Sequence, residues 1–216
     1  MHIRAPATLL IWAAILAIGP ASAAASVVTP GAGTIAVGAN GITPESATEV
    51  TVGLDPGDPG SYLITDTGGV VPRFPCTAAS PTSARCPTAG ITFLSVDLGL
   101  FDDRFSVGPG GVPDPTRISV AGGAGKDRLT GRNGGSNPKN DFFDGGSGND
   151  VLTGLGGKDA IWGGAGADRI YGGNGDDALD GKGGNDLIVG GKGRDQGSGG
   201  PGKDRLLGIE KIEGNK

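Results

Sequence analysis

Aspartate is the residue type in this chain best placed to do chemistry, and its spacing is fixed. Asp150, Asp159, Asp168, Asp177, Asp186, Asp195 and Asp204 stand nine residues apart. Asp127 and Asp141 extend the row upstream, with the segment 131–144 stretched from nine residues to fourteen. Each aspartate holds the sixth place of a copy opened by glycine, as in GGSGNDVLT (145–153), GGAGADRIY (163–171) and GGNGDDALD (172–180). Carboxylates set among glycine carbonyls offer hard oxygen donors, which serve soft or nitrogen-seeking metals poorly. The only histidine is His2, and the two cysteines, Cys76 and Cys86, lie outside the row, so a zinc site is excluded. Calcium accepts six to eight oxygens in flexible geometry, whereas magnesium wants a near-ideal octahedron and keeps its waters. The cation these residues select is calcium.

The elements that position the row follow from the same nine residues. The GGxG half can turn tightly, because glycine takes left-handed backbone angles at little steric cost. The other half carries one large apolar residue, at Leu129, Phe143, Leu152, Ile161, Ile170, Leu179, Ile188 and Leu206, with Gly197 in that place in one copy. One apolar residue in nine is too sparse for an amphipathic helix, which needs three to four per two turns. The period suits a parallel coil of short strands that stacks these side chains into a ladder, with a gap expected at Gly197. Stacking also aligns carboxylates at about 5 Å, where like charges repel by about 1 to 4 kcal/mol depending on the effective dielectric. A cation between them relieves this. Lys126, Lys158, Arg194 and Lys203, in the fifth place, add positive charge beside the row.

The phrase G-G-x-G-x-D-x-U-x, with U apolar, resembles the RTX (repeats-in-toxin, hemolysin-type) calcium-binding nonapeptide family. The resemblance implies an all-β fold: a C-terminal parallel β-roll with two nonapeptides per turn, preceded by a β-rich N-terminal region. It places ions between like-facing copies eighteen residues apart. Carbonyls of the second and fourth places of one copy join those of the first and third places of the next, with both aspartates. On this chain one such set is Gly146, Gly148, Asp150, Gly163, Ala165 and Asp168. The next on that edge is Gly164, Gly166, Asp168, Gly181, Gly183 and Asp186. The opposite edge gives Leu155, Gly157, Asp159, Gly172, Asn174 and Asp177, then Gly173, Gly175, Asp177, Gly190, Lys192 and Asp195. Gly145 and Ser147, first and third places of their copy, complete the candidate ligands with Asp127, Asp141 and Asp204. The implied number of ions is at most about seven.

The rest of the chain sets the context. Residues 1–23 read as a secretory signal peptide, with the apolar run Leu9–Ile18 and an A-x-A pattern at Ala21-Ser22-Ala23. The run is too short for a transmembrane span. Residues 24–115 form the β-rich region, with strand-like stretches at Glu49–Leu54, Ser61–Asp66 and Ile91–Leu98. In a secreted chain Cys76 and Cys86 are expected to form a disulfide. Val96–Val107 resembles a worn calcium-repeat strand, in which Asp102 and Asp103 could serve as ligands, with a place at the surface the stronger expectation. The roll is expected over 116–208 and a closing strand, with Ile209 and Ile212, in the tail 209–216. A net charge of −5 opposes nucleic acid as a partner. Removal of the signal leaves no histidine for a Ser-His or Cys-His nucleophile, and neither G-x-S-x-G nor H-E-x-x-H occurs. These features describe a secreted, extracellular, non-enzymatic calcium-binding protein. The alternatives are a calcium-stiffened adhesion module with a cell-surface or polysaccharide target, and, more remotely, an auxiliary part of an extracellular enzyme.

Overall fold

The computed structural model describes residues 26–31, 34–39, 49–66, 70–72, 77–80, 83–87, 92–108, 111, 117–133 and 140–212. The expected signal peptide, Cys76, the GSNPK segment 135–139 and the last four residues lie outside them. Among the described residues all regular structure is strand, and no helix is long and apolar enough to cross a membrane.

Nine strands precede the first clean copy: β1 (Ser26–Gly31), β2 (Thr34–Ala39), β3 (Glu49–Asp55), β4 (Asp58–Asp66), β5 (Val70–Pro72), β6 (Thr77–Ser80), β7 (Ser83–Pro87), β8 (Phe93–Asp97) and β9 (Arg104–Val107). The repeats supply β10 (Arg117–Ala124), β11 (Arg128–Thr130), β12 (Asp141–Ser147), β13 (Val151–Gly156), β14 (Ala160–Ala165) and β15 (Arg169–Asn174). They continue with β16 (Ala178–Gly183), β17 (Leu187–Lys192), β18 (Gln196–Ser198) and β19 (Arg205–Leu207), and the tail adds β20 (Lys211–Ile212). From β8 onward successive strands alternate between two ten-stranded sheets, and every pairing is parallel. One full turn of chain therefore spends one strand in each sheet, the geometry of a two-copy roll. At the far end both sheets continue into antiparallel pairs, β1 with β2, β3 with β4 and β4 with β7.

The core lies between the sheets as two ladders. Val96, Val120, Phe143, Ile161 and Leu179 stack in register in one. Val50, Phe105, Leu129, Leu152, Ile170, Ile188 and Leu206 stack in the other. Phe105 and Phe143 meet edge to face across the gap, with ring centroids 6.4 Å apart. Each fully buried rung contributes roughly 1.5–3 kcal/mol.

Three details differ from the pattern read in the sequence. Val96–Val107 is a full turn of the stack: Val96 pairs with Val120 and Phe105 with Leu129. The gap at Gly197 is filled, because the Ile209 side chain lies 3.2 Å from where a Cβ on Gly197 would stand. Leu155 and Lys182 place a side chain at positive φ, each at 71°, where most copies have glycine. That conformation costs an L-residue about 1–2 kcal/mol.

Candidate metal centre

The turns that follow each strand bring the sixth-place aspartates into two rows, one along each edge of the roll. On the first edge each aspartate amide donates to Oδ1 of the next aspartate in the row. Asp103 reaches Asp127 (2.8 Å), Asp127 reaches Asp150 (2.8 Å), Asp150 reaches Asp168 (2.8 Å), Asp168 reaches Asp186 (2.9 Å) and Asp186 reaches Asp204 (3.0 Å). The second edge repeats the pattern from Asp141 to Asp159, Asp177 and Asp195. The step is eighteen residues wherever the copies are clean, and 23 from Asp127 to Asp150, across the stretched copy.

One oxygen of each carboxylate is thereby fixed. The other is not. Oδ2 of Asp127, Asp150, Asp159, Asp168, Asp177, Asp186, Asp195 and Asp204 is buried with no hydrogen-bond partner. A buried carboxylate oxygen left without a donor is costly unless a cation meets it. The glycine that opens each copy shows where these oxygens point. A Cβ added to Gly163 would lie 2.5 Å from Asp168 Oδ2 and 2.7 Å from the Gly181 carbonyl oxygen, one turn on. The first-place glycines Gly122, Gly145, Gly154, Gly172 and Gly181 face their own aspartate and the next first-place carbonyl in the same way. The opening exists because no side chain fills it.

Electrostatics agree with a missing positive charge. Burial pushes the Asp127 and Asp159 carboxyls up to about 7, and those of Asp168, Asp177 and Asp186 up to about 6. Asp150 is raised for the same reason. The amide of the preceding aspartate opposes the rise, and neighbouring carboxylates add to it. Among the described residues no three Asp, Glu, His or Cys side chains converge. Any ion held here must draw on two carboxylates and backbone carbonyls, a hard oxygen set of the kind calcium accepts.

The predicted ligands divide along these lines. Asp150, Asp168 and Asp186 share one edge, and Asp159, Asp177 and Asp195 the other. The third-place carbonyls of Ser147, Ala165, Gly183, Asn174 and Lys192 accept from the fourth-place amide of the like-facing copy one turn earlier, as Ala165 O does from Gly148 N at 2.7 Å. Asp141 is the exception, because Arg132 is bonded to it through Nη2 (2.5 Å), Nε (3.0 Å) and the backbone amide (3.2 Å). Asp103, expected at the surface, is 1 % exposed and heads the first row. Its signal was the acidic pair in LGLFDDRFS, where Asp102 behaves as a fifth-place residue and accepts from Lys126 N at 2.8 Å. The fifth-place cations do not crowd the row: Lys126, Lys158, Arg194 and Lys203 are exposed, and Lys158 pairs outward with Asp176 at 2.6 Å. That ion pair holds Asp176 below the usual carboxylate range. Cys86 is buried, and no described cysteine is a free thiol.

Comparison with known proteins bears on the same segment. The family model of the RTX calcium-binding nonapeptide repeat (4 copies) matches residues 119–135, 136–170 and 171–206. No curated protein and no solved structure matches the chain. Two parallel sheets, two copies to a turn and a row of buried aspartates on each edge converge with that match: residues 119–206 are RTX calcium-binding nonapeptide repeats.

Proposed function

We propose that the chain is a secreted, non-enzymatic calcium-binding protein whose roll is ordered by calcium held between successive turns. The single observation that carries the reading is the row of buried aspartate Oδ2 atoms without donors, each facing a glycine opening. On the first edge Asp150 and Asp168, with the carbonyls of Gly146, Gly148, Gly163 and Ala165, hold one ion, and Asp168 and Asp186 hold the next with Gly164, Gly166, Gly181 and Gly183. On the second edge Asp159, Asp177 and Asp195 do the same with the carbonyls of Gly157, Gly172, Asn174, Gly175 and Gly190. Bound calcium neutralises the carboxylates and makes its binding free energy part of the folding free energy. The chain's own part is to present two charged oxygens and a set of carbonyls that no side chain obstructs. We assign the whole parallel stack, from Phe93 to Ile212, to this role.

Circular dichroism of the mature protein, titrated with calcium and separately with magnesium, tests the reading. Strand signal should rise cooperatively with calcium and not with equal magnesium. A roll equally ordered in excess chelator would remove calcium as the cause. Export is part of the proposal, with a mature chain starting near Ala24 and Cys76 bonded to Cys86. The burial of Cys86 supports the second point. Intact mass of the exported protein decides both.

A further inference from the structure

Arg132 breaks the pattern of its row. It follows Gly131, which opens the stretched copy, and so stands in the second place, where most copies have glycine. Gly131 still forms the usual opening: a Cβ there would lie 2.6 Å from the Gly154 carbonyl oxygen and 2.9 Å from Asp141 Oδ2. The Arg132 side chain lies beside that opening. It is 4 % exposed, and its Nε sits 3.0 Å from Asp141 Oδ1 and 3.4 Å from Oδ2, with Nη2 2.5 Å from Oδ1. Its charge also reaches Asp159, the next carboxylate along the edge. Asp141 N meanwhile donates to Asp159 Oδ1 at 2.8 Å, the same contact made at every other level. The Gly131 opening and the Asp141 amide thus repeat the other levels, but here the guanidinium sits on Asp141 Oδ1 and the Arg132 backbone amide donates at 3.2 Å to Oδ2, the atom that the rest of the row leaves without a donor.

We infer that Arg132 substitutes for a calcium ion at the head of the second row, so that the level shared by Asp141 and Asp159 takes no metal. Guanidinium is permanently charged and its planar fork presents several N–H donors to a carboxylate, so it compensates the charge of Asp141. An ion is shared with solvent and lost on dilution, whereas a tethered cation is present at every calcium concentration. The Asp141 charge is therefore compensated before any ion arrives, and the levels below it depend on metal. The inference rests on the calcium reading proposed above and goes beyond it by naming a level that calcium skips.

Anomalous scattering from crystals of the full mature chain grown in calcium tests this without any substitution. Peaks are expected between Asp159 and Asp177 and between Asp177 and Asp195, with none between Asp141 and Asp159. A peak of comparable height at the Asp141 level overturns the inference and leaves the calcium reading standing. Absence of peaks at every level overturns both. Native mass spectrometry of Arg132→Gly in calcium gives the complement. That variant should carry one ion more than the parent, and Arg132→Gly combined with Asp141→Asn should return to the parent's count. An unchanged count in a folded Arg132→Gly variant overturns the inference. Should that variant fail to fold, the anomalous map of the parent still decides.

Discussion

Replacing Asp168 by asparagine should change the protein's stability in opposite directions depending on calcium. Asp168 Oδ1 accepts from Asp150 N at 2.8 Å, and its own amide donates to Asp186 Oδ1 at 2.9 Å. Asparagine keeps the shape and the Oδ1 acceptor, removes the charge and puts an NH2 donor in the place of Oδ2. Burial raises the carboxyl from the usual 3.8 to about 6. Holding it ionised in a metal-free roll at pH 8 therefore costs about 3 kcal/mol. Against this, the hydrogen bond from Asp150 loses its charge assistance, about 1 kcal/mol. Without calcium the variant should be no less ordered than the parent, by a margin of about 1–2 kcal/mol. With calcium the sign reverses, because Asp168 lies between two proposed ion levels. A loss of only tenfold in affinity at each is about 1.4 kcal/mol per level, so the calcium midpoint should rise by at least an order of magnitude. Asp168→Ala separates the terms: it also strands the buried Asp150 amide, worth about 1–3 kcal/mol, and should lose order in both conditions. Asp204→Asn, at the end of the row, should shift the midpoint far less. The assay is strand signal by circular dichroism at pH 8, in chelator and across a calcium titration. Equal loss by Asp168→Asn in chelator and in calcium would refute the reasoning, since the carboxylate would then be structural in its own right.

Three further outcomes follow from the same geometry. The raised carboxyls bind protons more tightly in the folded chain than in the unfolded one, so their contribution to the calcium-free roll is fully present below about pH 4 and lost as pH rises through 6 to 7; strand signal of calcium-depleted protein should fall over that window, and a signal that climbs with pH contradicts the assignment. Gly163→Ala puts a methyl 2.5 Å from Asp168 Oδ2 at a position whose φ is ordinary, so it should weaken calcium binding by tenfold or more in a titration, while a variant that binds like the parent shows that the opening is not where the ion sits. Leu155→Gly removes a side chain from a residue at φ 71° and should raise the calcium-loaded melting temperature, by the equivalent of about 1 kcal/mol; a clear fall would mean that Leu155 contributes packing larger than its strain.

Much of this architecture was legible because the repeat states its rules openly. A nine-residue period with one apolar residue and one aspartate dictates alternate strands, two ladders and two rows of carboxylates, and the eighteen-residue pairing of Asp150 with Asp168 appears as expected. What escaped was what the period does not encode. LGLFDDRFS has lost all but one of its turn glycines, so Asp103 looked like any surface acid until β8 and β9 placed it at the head of a row. Arg132 carries no signal in the sequence, because its partner Asp141 is nine residues away and only the fold brings them together. The gap at Gly197 is closed by Ile209, a residue beyond the last copy, which no local rule would nominate. The lysines of the fifth place looked like competitors for the cation, and the pleat turns them outward instead.

The parallel register has a consequence for how such a chain can lengthen or shorten. Each strand pairs with the strand two elements later, so adding or removing eighteen residues inserts or deletes one whole storey, about 4.8 Å in height, and leaves every neighbour facing as before. A change of nine residues instead exchanges the two sheets for all that follows: Trp162, now outward on one side with Lys182 over its ring at 4.8 Å, would look out from the other. Changes that are not multiples of nine break the ladder unless they fall between strands, as the five extra residues between β11 and β12 do. The height of the roll is thus quantised, and recombination between copies can tune it by whole storeys without redesigning a single contact.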